Sequence, residues 1–403
     1  MKRKITIIGV NYAPEDSAIG LYSTQMAEYL AQKGYDIRVI TGFPYYPQWK
    51  IHDSYKGKPI FYSEELNGVK IRRFKQYVPQ DPSFSKRILH LLSFTAGSLI
   101  NCIRNRKADI VICIIPFTTS AVLGRFLKFI HGSKIWIHIQ DFEFDAAIES
   151  GLVKDNKKRI IRFLIRIEKA LLKSADRVST ISNGMLNRLE EKTDITGYYF
   201  TNWLDLDRFN TGFTSKHAFM KPGKFNVLYS GNIGYKQDWD LFFQFLDRVK
   251  DLDQIQVVVV GEGAMQEQVK TRLDAYPFVS HHNLVPFEEL PLLLNSADLH
   301  ILFQKDEVVD TVMPSKILGM MGSGRPSVVT GSPLSEVKTI FERSQGGYYL
   351  NADDLDGLIK SVVNIKSDKS RSAEMGEKAR DFVLANYSKE TVLNNFVQEL
   401  NEL

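Results

Sequence analysis

The sequence Val227-Leu228-Tyr229-Ser230-Gly231-Asn232-Ile233-Gly234-Tyr235-Lys236-Gln237 reads as a short apolar strand followed by a glycine-rich turn. In an open parallel sheet, ligands bind beyond the carboxyl ends of the strands, so this turn lies where a ligand is expected. Glycines let backbone N–H groups approach an anion at a helix N-terminus, and Lys236 adds positive charge. The turn suits a phosphate or diphosphate, although an ordinary tight strand-to-helix turn explains it equally well.

Short apolar runs alternate with helix-length stretches on both sides of this turn, at 5–10, 37–40, 69–71, 110–115, 135–139, 257–260, 299–303 and 327–329. This alternation predicts parallel sheets covered by helices on both faces. Residues 203–224 lose the periodicity and resemble a linker. We predict an α/β fold of two doubly wound, Rossmann-like domains, with the N-terminal domain over 1–203, a linker over 204–223, the second domain over 224–374 and C-terminal helices over 375–403.

The composition excludes several classes of protein. The 403 residues are 44% hydrophobic and 25% charged, which is typical of soluble globular domains and excludes disorder or a coiled coil. Two cysteines are too few for a disulfide framework and suit a reducing, cytoplasmic compartment. No run reaches the ~20 apolar residues of a membrane-spanning helix. The net charge of +5 is too small to indicate nucleic-acid binding.

Two further segments bear on the ligand. Pro314-Ser315-Lys316 opens a predicted helix whose free N–H groups, with Lys316 beside them, suit a second anion contact. Two such helix starts in one domain point to one diphosphate. The loop after the first strand has glycines at positions 9 and 20, too far apart for the G-x-G-x-x-G dinucleotide fingerprint, which disfavours an NAD-binding first domain.

Several motifs together resemble the retaining glycosyltransferases of family 4, which have the GT-B fold. In the second half they are Ser230–Gly234, Gly261-Glu262-Gly263, Pro314–Lys316 and Gly324-Arg325-Pro326. In the first half, Asn11–Glu15, Pro44–Trp49 and Ile139–Glu143 resemble the colanic-acid-type branch of exopolysaccharide assembly. The resemblance covers nearly the whole chain. It implies two domains facing across a cleft, with the C-terminal helices crossing back to the first domain.

The resemblance also implies site residues. The second domain would bind a nucleoside-diphosphate sugar, linked to uridine or guanosine, with Lys236 and Lys316 as cationic contacts. The expected donor-binding residues are Gly20, Gly231, Asn232, Gly234, Gln237, Gly263, Val285, Pro314 and Ser315. The expected acceptor-binding residues are Tyr45, Tyr46, Trp49 and Glu143, and the acceptor would be a polyprenyl-diphosphate-linked saccharide.

The sequence departs from the family at two glutamates. The family carries them eight positions apart, and the corresponding residues here are Thr311 and Gly319. The later glutamate commonly holds the ribose hydroxyls, which glycine has no side chain to do. Asp310 and Glu307 are alternatives, and both are equally explained as solvated loop charges.

Retaining transfer of this class needs no side-chain nucleophile. The protein must stabilise the departing diphosphate and position the acceptor hydroxyl. Asp141, at the end of a buried strand, is the candidate for the second task, with a helix N-cap as the alternative. His138 is interpreted as a core histidine. The two D-x-D sequences, Asp205–Asp207 and 354–356, do not indicate a metal site, so no metal or other cofactor is expected.

Basic and apolar residues alternate over 154–173, and the apolar segment 84–106 has basic residues at its ends. Such helices lie on anionic lipid surfaces, but they also describe the solvated face of a packed helix. We therefore expect a cytoplasmic glycosyltransferase, peripheral on the inner face of the cell membrane. The alternatives are a sugar-nucleotide epimerase on the same fold and a non-catalytic partner subunit.

Overall fold

The computed structural model describes residues 2–15, 18–116, 118–142, 158–206, 209, 213–307 and 315–403. The chain divides into two compact units. The first contains Met1–Thr201 and Leu393–Leu403, and the second contains Asn202–Val392. Each unit has its own sheet, so the predicted α/β fold with two doubly wound domains is confirmed.

The first unit is an eight-stranded sheet in the order β3-β4-β2-β1-β5-β6-β7-β8. Its elements in chain order are β1 (Lys4–Ile8), α1 (Ala18–Gln32), β2 (Asp36–Gly42), β3 (Phe61–Leu66), β4 (Val69–Phe74), α2 (Phe84–Ile103), β5 (Ile110–Ile115), α3 (Thr119–His131), β6 (Lys134–Ile139), α4 (Lys158–Lys173), β7 (Arg177–Thr180), α5 (Asn183–Thr193) and β8 (Tyr198–Tyr199). The apolar central strands β1 and β5 pair in parallel, and both are buried, as a sheet covered on two faces requires.

One strand of this sheet is antiparallel, which the sequence analysis did not predict. Strand β3 pairs with β4 through a tight turn at Asn67 and Gly68, whose φ angles are 48° and 79°. Positive φ at both positions is the requirement of a two-residue hairpin turn, and Asn-Gly meets it. Strand β3 lies at the edge of the sheet, and its exposed Glu65 is typical of such a position.

The second unit is a six-stranded, all-parallel sheet in the order β11-β10-β9-β12-β13-β14. Its elements are β9 (Phe225–Ser230), α6 (Trp239–Val249), β10 (Ile255–Val260), α7 (Gln266–Leu273), β11 (Val279–His282), α8 (Leu290–Ser296), β12 (Leu299–Phe303), α9 (Ser315–Gly322), β13 (Ser327–Gly331), α10 (Glu336–Ser344), β14 (Gly347–Asn351), α11 (Leu355–Ser367), α12 (Lys369–Tyr387) and α13 (Lys389–Asn401). Strand β9 lies between β10 and β12, where the strand order reverses. The turn that follows β9 therefore starts at the topological switch point, where ligands bind in such folds.

The unit boundaries differ from the predicted domains. The predicted linker, 204–223, belongs to the second unit because its backbone pairs with the chain's end: the Leu204 amide donates to Tyr387 O at 2.8 Å, and the Lys389 amide donates to Leu204 O at 3.0 Å. Of the predicted C-terminal segment 375–403, only Leu393–Leu403 clusters with the first unit.

The last helix, α13, contributes to the first unit through both apolar and polar contacts. The Phe396 ring stacks on Phe200, with centroids 4.3 Å apart, and lies edge-on to Trp136. The Tyr29 hydroxyl donates to Asn394 Oδ1 at 2.6 Å. Phe396 therefore packs in one core with residues that lie 196 and 260 positions earlier in the chain.

Within the described residues, no helix has the length and apolar character needed to cross a membrane.

A matched pair of glycine substitutions tests the packing of the second unit. A Cβ at Gly376, in α12, would lie 2.1 Å from the backbone oxygen of Gly324, whereas a Cβ at Gly319, in α9, would lie 3.2 Å from the Leu294 Cδ1 atom. A backbone atom cannot move aside as a side-chain terminus can. We expect Gly376→Ala to lower the free energy of unfolding by about 1–3 kcal/mol, and Gly319→Ala to change it by less than about 1 kcal/mol, both measured by urea denaturation. Equal effects would contradict this packing.

Candidate functional site

The glycine turn after β9 packs directly against the turn after β10. The Gly231 amide donates to Val260 O at 2.8 Å, and its carbonyl oxygen lies 2.1 Å from where a Cβ on Gly261 would be. A Cβ on Gly263, whose φ is 154°, would lie 2.4 Å from Ile233 O. The two turns thus approach backbone to backbone, and only glycine fits at 261 and 263.

Several N–H groups of the first turn are already hydrogen bonded inside the protein. The Ile233 amide donates to Glu262 O at 2.8 Å, and the Gly234 amide donates to the Gln237 side-chain oxygen at 3.0 Å. Gln237 is buried and Gly234 O accepts from the Trp239 indole at 3.0 Å. Gly234 and Gln237, expected to contact the donor, therefore hold the shape of the turn, while Asn232 and Lys236 are exposed.

Lys316, on α9, lies across this turn. A Cβ on Gly231 would be 2.9 Å from its Cδ and 3.1 Å from its Nζ, so the absence of a side chain at 231 makes room for the lysine. The ammonium group donates to the Tyr229 hydroxyl at 3.3 Å and lies 5.0 Å from the centre of the tyrosine ring. Burial lowers the pKa of Lys316 to about 8. The structure thus brings together the two segments that the sequence analysis assigned to one anion.

Tyr229 was not found by sequence reasoning. It lies in the middle of β9, is fully buried, and donates its hydroxyl proton to Asn232 O at 2.7 Å. It thereby fixes both the glycine turn and the Lys316 ammonium group. A tyrosine in an apolar strand is ordinarily a core residue, so its sequence context carried no signal of this role.

The remaining donor-site residues are placed as follows. Val285 is half-buried and packs against the core of the second unit. Pro314 lies outside the described residues, and only the backbone of Ser315 is described. At Gly319, a Cβ would face Leu294 and, at 3.8 Å, the Phe209 ring, so this position faces packed side chains. Glu307 is exposed, and Asp310 and Thr311 lie outside the described residues.

In the first unit, a buried carboxylate joins two of the sequence motifs. Glu15 Oε1 accepts hydrogen bonds from the backbone amides of Tyr45 and Tyr46 at 2.8 and 2.9 Å, and Oε2 accepts from the Asn11 side-chain amide at 2.8 Å. Burial raises the pKa of Glu15. A Cβ on Gly20 would lie 2.8 Å from the Glu15 Cβ, so Gly20 is needed for this packing.

Tyr45, expected to bind acceptor, is instead buried. Its ring contacts Trp49 and His90 edge-on, with centroids 5.3 and 4.7 Å apart. Tyr46 is exposed, and Trp49 is half-buried beneath the Arg87 guanidinium, 5.4 Å from the ring centre. Of the three aromatic residues expected to bind the acceptor, Tyr45 is therefore a core residue, whereas Tyr46 and Trp49 are accessible.

A second buried charge, also missed by sequence reasoning, holds the loop after β1. Arg73, on β4, is fully buried and donates to Glu64 and to Ala13 O at 2.5 Å each, and to Gly42 O at 3.2 Å. Its backbone partners Gly42 and Ala13 lie 31 and 60 residues away, so no local motif indicated its role. With Glu15, it ties the β1–α1 loop to the neighbouring strands.

Asp141 follows β6 directly, is half-buried and has interactions within the chain. Glu143 lies outside the described residues. His138 is buried, with Nδ1 2.9 Å from Ser179 Oγ and Nε2 2.9 Å from Gln140 Nε2, and burial lowers its pKa to about 3. The interpretation of His138 as a core histidine is confirmed.

Described carboxylates of the D-x-D sequences have structural partners. Asp205 pairs with Lys389 at 2.9 Å, and Asp207 lies outside the described residues. Asp354 caps α11 by accepting from the Gly357 amide at 2.8 Å, and Asp356 pairs with Arg248 at 2.9 Å. In the part of the chain that the structure describes, no group of three or more His, Cys, Asp or Glu residues is arranged to hold a metal ion.

Comparisons with known proteins agree with this architecture. Residues 17–194 match the model of a glycosyl transferase 4-like domain, and residues 224–368 match that of the glycosyl transferases group 1. The putative colanic acid biosynthesis glycosyl transferase WcaI of Escherichia coli K12 is 30% identical, over 98% of this chain and 99% of the relative. The N-acetyl-alpha-D-glucosaminyl L-malate synthase of Bacillus anthracis is 20% identical, over 96% and 95%.

Two solved structures resemble the whole chain. Sucrose-phosphate synthase of Thermosynechococcus elongatus has a TM-score of 0.74 at 14% identity and covers 100% of this chain and 99% of its own. HepE of Anabaena, solved in complex with UDP and glucose, has a TM-score of 0.68 at 14% identity, with 100% of both chains covered. Two doubly wound units of this kind are the architecture of the GT-B glycosyltransferases. The chain belongs to glycosyltransferase family 4, as the two family models and the 30% identical relative show.

The Glu15 network generates a stability prediction. We expect Glu15→Ala to lower the free energy of unfolding by about 2–3 kcal/mol, because the amides of Tyr45 and Tyr46 lose their acceptor. Glu15→Gln keeps an acceptor oxygen and should cost less. Because the folded protein holds the Glu15 proton more tightly than the unfolded chain, wild-type stability should fall as pH rises from the unfolded to the raised folded pKa.

Urea denaturation as a function of pH tests this prediction, with hydrogen exchange over residues 43–49 as a local measurement. Glu15→Gln should remove the Glu15 contribution to the pH dependence. The exposed Glu65→Gln is the matched control and should leave exchange over 43–49 unchanged. If the Tyr45 and Tyr46 amides exchanged as slowly in Glu15→Ala as in the wild type, their hydrogen bonds to Glu15 would not be what protects them from exchange.

Proposed function

We propose that this glycosyltransferase transfers a sugar, with retention of anomeric configuration, from a nucleoside-diphosphate sugar to a polyprenyl-diphosphate-linked saccharide in bacterial exopolysaccharide assembly. The name of the 30% identical relative supports the pathway class, and the UDP and glucose of the HepE complex support the donor class. The observation that carries the proposal is the half-buried Lys316 side chain, which lies against the glycine turn of the second unit.

The proposed reaction exchanges one bond to the anomeric carbon for another. The bond to the diphosphate oxygen breaks, the acceptor oxygen bonds to the same face of the sugar, and the hydroxyl proton passes to the departing diphosphate oxygen. Negative charge grows on the departing diphosphate. Lys316 and Lys236 are assigned to stabilise that charge. Stabilisation of developing charge is usually the largest single contribution to the rate enhancement of an enzyme.

The turn contributes less through its amides than the sequence analysis expected. Since the Gly231, Ile233 and Gly234 amides are bonded internally, the proposal assigns them to shaping the turn. The glycines at 231, 261 and 263 let Lys316 reach the turn. Asp141, at the carboxyl end of β6, is assigned to position the acceptor hydroxyl, and Tyr46 and Trp49 are assigned to contact the acceptor.

We propose a cytoplasmic location, peripheral on the inner face of the membrane. A polyprenyl-linked acceptor has its lipid chain in the bilayer, so an enzyme that uses it works at the membrane surface. The basic helix α4 supports this location, because exposed lysines and arginines attract anionic lipids by about 1 kcal/mol each.

The ionisation of Lys316 gives a direct test of donor binding. A bound diphosphate favours the charged amine and so raises its pKa above the free value of about 8. Binding of UDP or GDP should therefore take up a proton at and above pH 8, where the nucleotide's own phosphates are fully ionised. Affinity should fall as pH rises further, because a growing fraction of Lys316 must be protonated on binding.

Calorimetry with UDP, GDP and ADP in buffers of different ionisation enthalpy measures both the base preference and the proton uptake. Lys316→Met should weaken binding by about tenfold to a hundredfold and abolish the uptake. Lys316→Arg should bind without proton uptake, since arginine stays charged. The exposed Lys270→Met, on α7, is the matched control. Unchanged affinity and uptake in Lys316→Met would refute the assignment of the diphosphate.

The assignment of Asp141 predicts a different pattern. Asp141→Asn should lower kcat by about 10²–10⁴-fold while leaving the nucleotide affinity close to that of the wild type, because its proposed partner is the acceptor. Steady-state kinetics with the lipid-linked acceptor, together with calorimetry of the nucleotide, separates the two effects. If Asp141→Asn turned over as fast as the wild type, Asp141 would have no role in positioning the acceptor hydroxyl.

A further inference from the structure

Helix α2 presents its large apolar side chains to solvent. Exposed large hydrophobic residues recur along one stripe of the helix, at Ile88, Leu89, Leu92, Leu99, Ile100 and Ile103. Leu92 and Ile103 are 58% and 61% exposed. The spacing of three, four or seven residues places them on one side of the helix, over a length of roughly 22 Å at 1.5 Å per residue.

The opposite side of α2 is mixed, with Phe94 and Cys102 buried beside small and polar residues. His90, Ser98 and Asn101 are all buried, and a Cβ on Gly97 would lie 2.1 Å from the ring of Phe74 on β4. The close approach of helix and sheet at Gly97 fixes which side of α2 faces inward. Most of the large aliphatic side chains of α2 therefore face solvent, whereas an amphipathic helix usually buries them.

Helix α3, which packs beside α2, also exposes apolar side chains. Phe129 is 88% exposed, and Val122 and Ile130 are also exposed. An exposed apolar surface that extends over two neighbouring helices is larger than the scattered apolar residues of an ordinary protein surface, and such surfaces mark sites of protein or membrane interaction.

The charges around this surface have one sign. Neither α2 nor α3 contains an acidic residue, and α4, which packs beside α3, contains only Glu168. Glu168 is 1% exposed and pairs with Lys192. Exposed basic side chains lie along the same helices, at Lys86, Arg87, Arg125 and Arg166.

We propose that the apolar stripe of α2, with the exposed side chains of α3, inserts into the headgroup region of an anionic lipid monolayer, while the basic residues of α2, α3 and α4 contact the lipid headgroups. A second copy of the chain fits less well, because a twofold interface would bring these basic residues against each other. An anionic monolayer supplies both an apolar phase and negative charge. The inference deepens the proposed membrane location and rests on it.

Vesicle binding of matched variants tests the inference. The protein is co-sedimented with vesicles of equimolar phosphatidylglycerol and phosphatidylcholine, and with phosphatidylcholine alone. The Leu92→Gln/Ile103→Gln double variant should bind anionic vesicles roughly tenfold or more weakly than wild type, because two apolar side chains no longer leave water. Ile60→Gln is the matched control, since Ile60 is 60% exposed in the same unit but precedes β3, and it should bind as wild type does.

A fluorescent probe reports insertion directly. Cys102 and Cys113 are both buried, so a cysteine introduced at Leu92 or Ile60 can be labelled selectively with an environment-sensitive dye. Anionic vesicles should shift the emission of the dye at 92 to the blue and leave that at 60 unchanged. Vesicle binding without a shift at 92 would overturn the inference. So would the absence of vesicle binding by the wild type together with a dimer in gel filtration that the double variant does not form. Calorimetric nucleotide affinity of the same variants, measured without vesicles, should equal that of wild type, so a failure of the membrane surface is distinguishable from a failure of the donor site.

Discussion

The candidate donor site depends on the close approach of two backbone turns in the second unit. The Gly231 carbonyl lies against Gly261, and the Ile233 carbonyl lies against Gly263, at distances that exclude a Cβ. This contact fixes the ends of β9 and β10 relative to each other and opens the space above Gly231 that the Lys316 side chain fills. A buried ammonium group is costly unless an anion or an oriented dipole lies near it, and the pKa of Lys316 is lowered accordingly. Gly231, Gly261 and Gly263 therefore determine the shape of the site because they lack side chains. The positive charge comes from Lys316, whose side chain occupies the space beside Gly231.

The sequence predicted the sheets well because their central strands are continuous apolar runs. Strands such as β5 and β10 are buried along their whole length, so their composition alone distinguishes them. The strands that the sequence analysis missed lie at or near the edges of the sheets: β3, β7, β8, β11 and β14. These strands are short, partly exposed or both, and their mixture of polar and apolar residues resembles that of the surrounding loops. Edge strands carry the weakest sequence signal because only part of their surface is buried.

The candidate site was predictable only where a residue's role follows from its local context. Gly231 and Lys316 were found because one follows a strand and the other opens a helix. The hydrogen bond from the Gly234 amide to the Gln237 side chain was not predicted, because it depends on the folded path of the turn. The roles of Glu15 and Arg73 were missed because each holds backbone groups that lie 30 or more residues away, the Tyr45 amide and the Ala13 carbonyl. Gly319 was noted as a missing carboxylate, and the structure adds that its neighbours are the packed side chains of Leu294 and Phe209.

Helix α2 shows why burial cannot be read from periodicity alone. Its sequence has an apolar stripe on one side and, on the other, a mixed side in which Gly97, Ser98 and Asn101 accompany Phe94, and hydrophobicity would place the stripe inward. The structure reverses this order because Gly97 packs against Phe74 at a distance that no larger residue permits. The small side approaches the sheet closely, so the large apolar side chains are left outside. Removing the polar side chains of His90, Ser98 and Asn101 from water costs free energy. The exposed apolar stripe provides no hydrophobic stabilisation as long as it stays in water. Under the proposed membrane contact, the stripe leaves water for the apolar part of the lipid layer, which removes the cost of exposing it.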